Sequence, residues 1–352
     1  MQRQKSAVTL PLDISFAAME AQPVDTLPED GGWQYEPKWD GFRCLAFRDG
    51  DTVELQSKSG QPLARYFPDV VARLRAVEAD RFALDGEVVI PVEGRLSFEQ
   101  LQLRLHPAES RVRKLAAEHP AAFILFDLLV GPDGKSLAGE PLAARRRALE
   151  TFHAAYGDDD ALQLSPATSS IEEVRQWLEK LGNSLDGIIA KQTDQPYRTG
   201  ERAGMVKWKM MRTADCVVGG FRYGTNSREV GSLLLGLYDP SGKLHHCGFT
   251  SSIKKAEKPE LTKKLEALVE APGFTGKAPG GPSRWSTERT GEWQPLRPEL
   301  VVEVRYDHIT DNRFRHGTTL IRWRPDKASR QCAFDQLGPE GVLWSADSLD
   351  AA

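Results

Sequence analysis

A chain of 352 residues, 40% hydrophobic and 27% charged, is long for one globular domain and comfortable for two, and its composition excludes the disordered and fibrous classes. Its longest apolar stretch, residues 121–129, is broken by Asp127 and too short to cross a bilayer, and the basic start Met1-Gln2-Arg3-Gln4-Lys5 lacks the apolar core of a signal peptide. A net charge of -4 and a pI of about 6.0 argue against a uniform polyanion-binding surface, yet residues 313–330 carry six Arg or Lys and one acid, Asp326, while acids gather at Asp158-Asp159-Asp160, Asp347 and Asp350.

Residues 53–56, 84–90 and 123–129 are rich in β-branched, aliphatic and aromatic side chains and predict strands. Between and after them, residues 69–77 and 141–152 have the spacing of amphipathic helices. Ser170-Ile171-Glu172-Glu173 predicts a capping box that opens a helix through Leu181. This mixture predicts an α+β domain with antiparallel sheets over residues 1–212. After Arg212 the chain reads as strands at 216–220, 232–238 and 301–306, with Asp239-Pro240-Ser241-Gly242 as a turn. One helix is expected at 259–269 and a Gly/Pro-rich loop at 273–282. Short strands with a single helix suit a five-stranded OB-fold β-barrel over residues 213–352. Cys44, Cys216, Cys247 and Cys332 are far apart, which argues against a zinc ribbon or a disulfide framework and fits a reducing, cytoplasmic location.

The first chemistry-bearing run is Glu36-Pro37-Lys38-Trp39-Asp40-Gly41-Phe42-Arg43. Alone it reads as a surface turn, because Asp-Gly is a turn former. Five segments follow it: Leu84-Asp85-Gly86-Glu87, Phe126-Asp127-Leu128-Leu129, Asp186-Gly187-Ile188-Ile189-Ala190-Lys191, Val206-Lys207-Trp208-Lys209 and an Arg-rich end closing with Arg324-Pro325-Asp326-Lys327. Each has an ordinary explanation. Phe126 suits a core strand, Glu87 and Asp186 suit turns beside glycine, and Lys207 and Lys209 suit an edge strand. Their order and identity together resemble the nucleotidyltransferase motifs of ATP-dependent DNA ligases over nearly the whole chain, most similar to the compact bacterial C and D types.

That resemblance implies an adenylation domain followed by the OB barrel, and it assigns roles residue by residue. Lys38 is the nucleophile that takes AMP from ATP, and Asp40 is a carboxylate near the metal or the 3′-hydroxyl. Glu36 reads the exocyclic amine of adenine, Phe126 stacks on the base, and Arg43 lies near the ribose and the nick phosphate. Lys191 contacts phosphate. Glu87 and Asp186 serve ribose and Mg²⁺, with Mn²⁺ as a substitute. Asp186 stands where relatives commonly carry Glu, and its shorter side chain suits binding through water. Lys58, in Ser57-Lys58-Ser59-Gly60, stands where relatives carry Arg and cannot make a bidentate phosphate contact. Arg322, Arg324 and Lys327 engage the β- and γ-phosphates, the two arginines competing for one role. The nucleophile must be a neutral amine, so burial and the cations Lys207 and Lys209, which share a strand face, are expected to depress the Lys38 pKa below ~10.4.

The implied partners are ATP and nicked duplex DNA, with a repair polymerase or end-binding protein as a further candidate, a DNA-repair setting, no membrane and a monomeric state. No helical DNA-binding domain is expected ahead of Lys38, nor an interaction domain at the end. Rival readings share parts of the pattern. Capping guanylyltransferases have the Lys-x-Asp-Gly motif and a two-domain plan, RNA ligases share the chemistry, and NAD-dependent ligases normally add a four-cysteine zinc finger. A non-catalytic nucleic-acid-binding barrel leaves Lys38, Lys207 and Lys209 unexplained. His245, His246 and His316 have no metal-ligand spacing and read as structural or phosphate-adjacent.

Overall fold

A computed structural model describes residues 8–337 except 13, 159, 182–184 and 281–291. The basic start, Asp159, Asp347, Asp350 and the end of the 273–282 loop lie outside the described residues. Among the described residues no helix is long and apolar enough to cross a membrane. The chain forms two compact units, one ending at Met210 and one beginning at Met211.

In chain order the first unit contains β1 (Gln22–Val24), β2 (Trp33–Pro37), β3 (Phe42–Asp49), β4 (Thr52–Ser57), α1 (Pro68–Arg75), β5 (Arg81–Val89), a hairpin of β6 (Pro91–Val92) and β7 (Arg95–Leu96), α2 (Phe98–Arg104), α3 (Glu109–Glu118), β8 (Ala122–Val130), α4 (Leu142–Tyr156), β9 (Leu162–Leu164), α5 (Ile171–Leu181), β10 (Gly187–Gln192) and β11 (Met205–Lys209). Its two main sheets run β4-β3-β5-β8-β9 and β1-β11-β10-β2. The expected antiparallel pairing holds except at two short edge strands, where β1 runs parallel to β11 and β9 parallel to β8.

Alternation explains how the larger sheet is covered on both faces. Cys44, Ala46, Phe82 and Leu84 pack toward α1 and α4 with Leu74, Leu149 and Phe152. Their neighbours Leu45, Phe47 and Ala83 face a second core with Tyr197 and Met205. β8 is consequently buried along its whole length, and its one charge, Asp127, is held by Arg145 of α4 through two bonds of 2.8 and 2.9 Å. α4 runs on from Phe152 to Tyr156, whose ring packs 5.1 Å from that of Phe152. The capping box is only half formed. Ser170 Oγ accepts from Glu173 N at 3.3 Å, but the Glu173 carboxylate accepts from Thr168 Oγ1 instead, and Thr168 in turn accepts the Ser170 N–H.

The second unit contains β12 (Arg212–Tyr223), β13 (Val230–Tyr238), β14 (Leu244–Thr250), α6 (Lys258–Glu266), β15 (Gln294–Pro295), β16 (Val301–Tyr306), β17 (Ile309–Thr310), β18 (Arg313–Phe314) and β19 (Thr319–Trp323). The strand path is β14-β13-β12-β16-β19, with β15 added on β12. Its ends meet, because Thr318 N donates to Phe249 O at 3.0 Å and Thr250 Oγ1 donates to Thr318 O at 2.9 Å. That closure makes the OB barrel. The turn at Asp239 is present, with Gly242 at φ +78° and its N–H 2.9 Å from Asp239 O. α6 stops short of the expected Val269, which instead bridges Leu296.

Candidate active site

Strand register gathers the motifs. In the four-stranded sheet Ile189 lies opposite both Glu36 and Lys207, and Lys191 lies opposite both Gln34 and Met205. Gly187 lies opposite Lys209, and the Lys38 N–H donates to Gly187 O at 2.9 Å. Side chains two apart point the same way, so Glu36, Lys191, Lys207 and Lys209 share one face, and Lys38 continues it past the end of β2. Gly187 makes this possible. A Cβ there would stand 2.1 Å from Trp208 O, at φ +148°. Gly41 is needed for a different reason: a Cβ would meet Val88 O at 2.4 Å and Glu87 Cγ at 2.7 Å, so the loop after Lys38 lies directly against β5.

The other sheet contributes Arg43, its register partner Glu87, and Phe126. With Glu36, Lys38, Lys191 and Lys207 of the shared face they line an open pocket, whose space including the solvent at its mouth is ≈ 700 Å³. At one end Glu36 Oε1 accepts from Lys191 Nζ at 2.7 Å and from Gln34 Nε2 at 2.8 Å. Lys191 Nζ lies 3.3 Å from Phe126 O and 4.7 Å from the centre of its ring, and Arg43 Cζ is also 4.7 Å from that ring. The structure therefore places Lys191 on Glu36 and Phe126.

The electrostatics of Lys38 reverse the expectation. Burial opposes its charge, but Asp186, which holds its ammonium, and then Asp40 and Glu87 outweigh that effect and raise its pKa. The lysine whose pKa falls is Lys207, through burial and then the repulsion of Lys58, Lys209, Lys38 and Arg202. Spacing along β11 identified the cations. It gave no view of the carboxylates that chain folding brings to the amine. Glu87 is pushed up to about 8 by burial, against the pull of Arg43 and Lys38, and among the described residues no side chain donates a hydrogen bond to it. Lys58, half exposed, pairs with Glu20 at 3.1 Å, and Glu20 also pairs with Arg202 at 3.1 Å.

Arg43 is held by a residue not singled out from the sequence. Its Nε and Nη2 donate to Asp85 at 2.8 and 2.5 Å, and Tyr197 Oη donates to the same carboxylate at 2.6 Å. Alternation could have found Asp85, which is two residues from Glu87 on β5. Tyr197 had no local signal.

In the second unit Arg324 donates to Asp215 at 2.8 Å and to Asp326 at 2.9 Å, and Lys327 pairs with Asp215 at 2.7 Å. Arg322 pairs with Glu303 at 2.6 Å, and Arg324 lies 4.0 Å from the same carboxylate. The two arginines thus share a face, Arg322 at 62% side-chain exposure and Arg324 at 19%. The histidines are held locally: His245 by Asp239 at 2.9 Å, His316 by Asp307 at 3.1 Å, and His246 in the barrel interior.

Comparison with known proteins agrees with this geometry. The family model for the ATP dependent DNA ligase domain matches residues 18–209, and that for the ATP dependent DNA ligase C terminal region matches residues 226–327. The protein named DNA ligase C2 from Mycolicibacterium smegmatis is 44% identical over 344 residues, covering 93% of this chain and 96% of that protein. The multifunctional non-homologous end joining DNA repair protein LigD of Mycobacterium tuberculosis is 32% identical over 300 residues, 84% of this chain and 36% of that protein. The solved structure of mycobacterial DNA ligase D complexed with ATP and MES is 29% identical, covers 91% of this chain and 98% of that one, and superposes with a TM-score of 0.50. The chain belongs to the ATP-dependent DNA ligase family.

Proposed function

We propose that this ligase seals a 5′-phosphate to a 3′-hydroxyl at nicks in duplex DNA, within DNA repair, through AMP carried covalently on Lys38. The observation that carries the reading is the single sheet face that brings Glu36, Lys38 and Lys207 into one pocket opposite Arg43, Glu87 and Phe126. Lys38 Nζ attacks the α-phosphorus of ATP. The N–P bond forms, the bond to the bridging oxygen breaks, and pyrophosphate leaves. A 5′-phosphate oxygen then displaces the lysine, and a 3′-hydroxyl finally displaces AMP. Phe126 and Glu36 hold the base, with Lys191 fixing Glu36 through their ion pair. Lys58, Lys207 and Lys209 neutralise phosphate charge, Asp40 serves the reacting hydroxyl, and Arg322, Arg324 and Lys327 orient the pyrophosphate.

The donor set fits Mg²⁺, or Mn²⁺ in its place. Such an ion takes one or two carboxylates beside substrate phosphates. Glu87 is half-buried at the pocket with no side-chain donor among the described residues, and Asp186 already binds a cation, the Lys38 ammonium. Glu87 and Asp186 would hold the ion, which when bound supplies positive charge to the phosphate oxygens. Lys38 loses its proton once the carboxylates that raise its pKa are engaged elsewhere.

The test is incubation with α-phosphate-labelled ATP, then with a nicked duplex. Wild-type protein should become labelled and pass the label to the 5′-phosphate, and Lys38→Ala should take up none. An adduct at wild-type yield in Lys38→Ala would remove this lysine as nucleophile. Labelled GTP and a nicked RNA strand, run in parallel, separate the capping-type and RNA-joining readings.

A further inference from the structure

We infer that Tyr197 is a positioning residue for ligation, acting on Arg43 through Asp85. This rests on the proposed function and adds a residue to it. Asp85 is fully buried and Tyr197 is 6% exposed, so their bond is shielded from water. Arg43 presents Nε and Nη2 to Asp85, which among the described residues leaves Nη1 as the guanidinium nitrogen without a partner, open to a ligand in the pocket that Arg43 lines. The direction of Nη1 therefore follows the plane of the Asp85 carboxylate. That terminal torsion is soft in aspartate. The Tyr197 hydroxyl, 2.6 Å from Asp85 Oδ2, supplies the third bond that fixes it.

Tyr197 is itself fixed. Its Oη accepts the Met19 N–H at 2.9 Å, its ring stacks on Phe16 with centroids 5.6 Å apart, and Arg145 Cζ lies 5.6 Å over it. The hydroxyl thus ties the segment at Met19, next to pocket residues Glu20 and Ala21, to the strands that carry Arg43 and Asp85. The ligand of Nη1 is an acceptor oxygen, either of the bound nucleotide or of the DNA 5′-phosphate.

The test uses Tyr197→Phe, which keeps the ring, Arg43→Lys, which keeps the buried charge, and the double variant. Single-turnover rates are measured for AMP loading, for transfer to a nick, and for sealing of a pre-adenylated nick, all well below the melting temperature. The expected result is that Tyr197→Phe slows by tenfold or more the same step that Arg43→Lys slows, and that the double variant is no slower than Arg43→Lys. A defect in loading identifies the nucleotide as ligand; a defect in transfer or sealing identifies the 5′-phosphate. Equal slowing of all steps, unchanged rates, or multiplicative losses in the double variant would overturn the inference. Failure of wild-type protein to form any AMP adduct would instead overturn the proposed function.

Discussion

Replacing Gly187 with alanine perturbs the point where β10 meets both β11 and the backbone of Lys38. The added Cβ would stand 2.1 Å from Trp208 O and 3.0 Å from Lys209 Cα. Non-bonded heavy atoms settle near ~3.5 Å, so β11 must withdraw from β10 by roughly 1–1.5 Å. The backbone at φ +148° adds strain of roughly 1–3 kcal/mol for any residue with a Cβ. The bond from Lys38 N to Gly187 O, worth about 1 kcal/mol, belongs to the same residue and is put at risk. The stability loss is therefore about 2–4 kcal/mol, or a fall in melting temperature of roughly 5–15 °C. Because Lys207 and Lys209 move relative to Lys38 by roughly 1–1.5 Å, AMP loading should slow by about 10²-fold. The assay is single-turnover loading from labelled ATP on protein shown to be folded, with thermal melts alongside. Gly139→Ala is the control, since nothing lies within 4 Å of a Cβ there. Loading within about threefold of wild type and an unchanged melt would refute the argument that this close approach sets the site.

Arg324→Ala should slow AMP loading by about 10²-fold or more while closure of a pre-adenylated nick changes far less, because pyrophosphate is present only in the first step; equal losses would point to general DNA binding or stability. His246 gives a pH test, since burial, with Arg313 and Arg222 adding repulsion, pushes its pKa down to about 3. The unfolded chain takes up that proton near pH ~6.5, so native stability is present above that value and is lost as pH falls toward 3. Urea unfolding should show wild type losing up to about 2 kcal/mol more than His246→Leu between pH 7 and pH 5; an equal loss would mean that His246 is not held neutral. Binding to nicked duplex should weaken steeply with salt and favour a 5′-phosphate over a 5′-hydroxyl nick. Equal affinity for the two nicks at several salt concentrations would exclude recognition of the phosphate.

What the sequence revealed follows from how local each cause is. β4, β5, β8 and α4 came from residue type and period, which act within one element. Their ends differed where a distant contact intervened, as when Val269 left α6 to bridge Leu296. The pocket residues were found through motif resemblance, and alternation then explains why motifs far apart in the chain can serve one cavity. A second carboxylate, Asp85, was legible by the same alternation but hidden behind its neighbour Glu87.

The charge state of Lys38 was not legible, and the reason is physical. A cation two residues from another is visible along one strand. The carboxylates that raise the pKa of this amine come from elsewhere: Asp186 from the residue before β10, Glu87 from β5, Asp40 from the loop after β2. Asp186, then Asp40 and Glu87, raise the pKa of Lys38 against the cost of burial, and neither Lys207 nor Lys209 is among the leading causes. The raised pKa favours the protonated form of Lys38, tied to Asp186, and under the proposed function that form cannot attack phosphorus. On the proposed function, positive charge bound among these carboxylates would favour release of that proton. Raising the pH alone should then accelerate AMP loading in Asp186→Asn less than in wild type, since the substitution removes the strongest cause that raises the pKa of Lys38. Parallel pH profiles of loading in the two proteins would show instead that Asp186 does not govern the proton on the nucleophile.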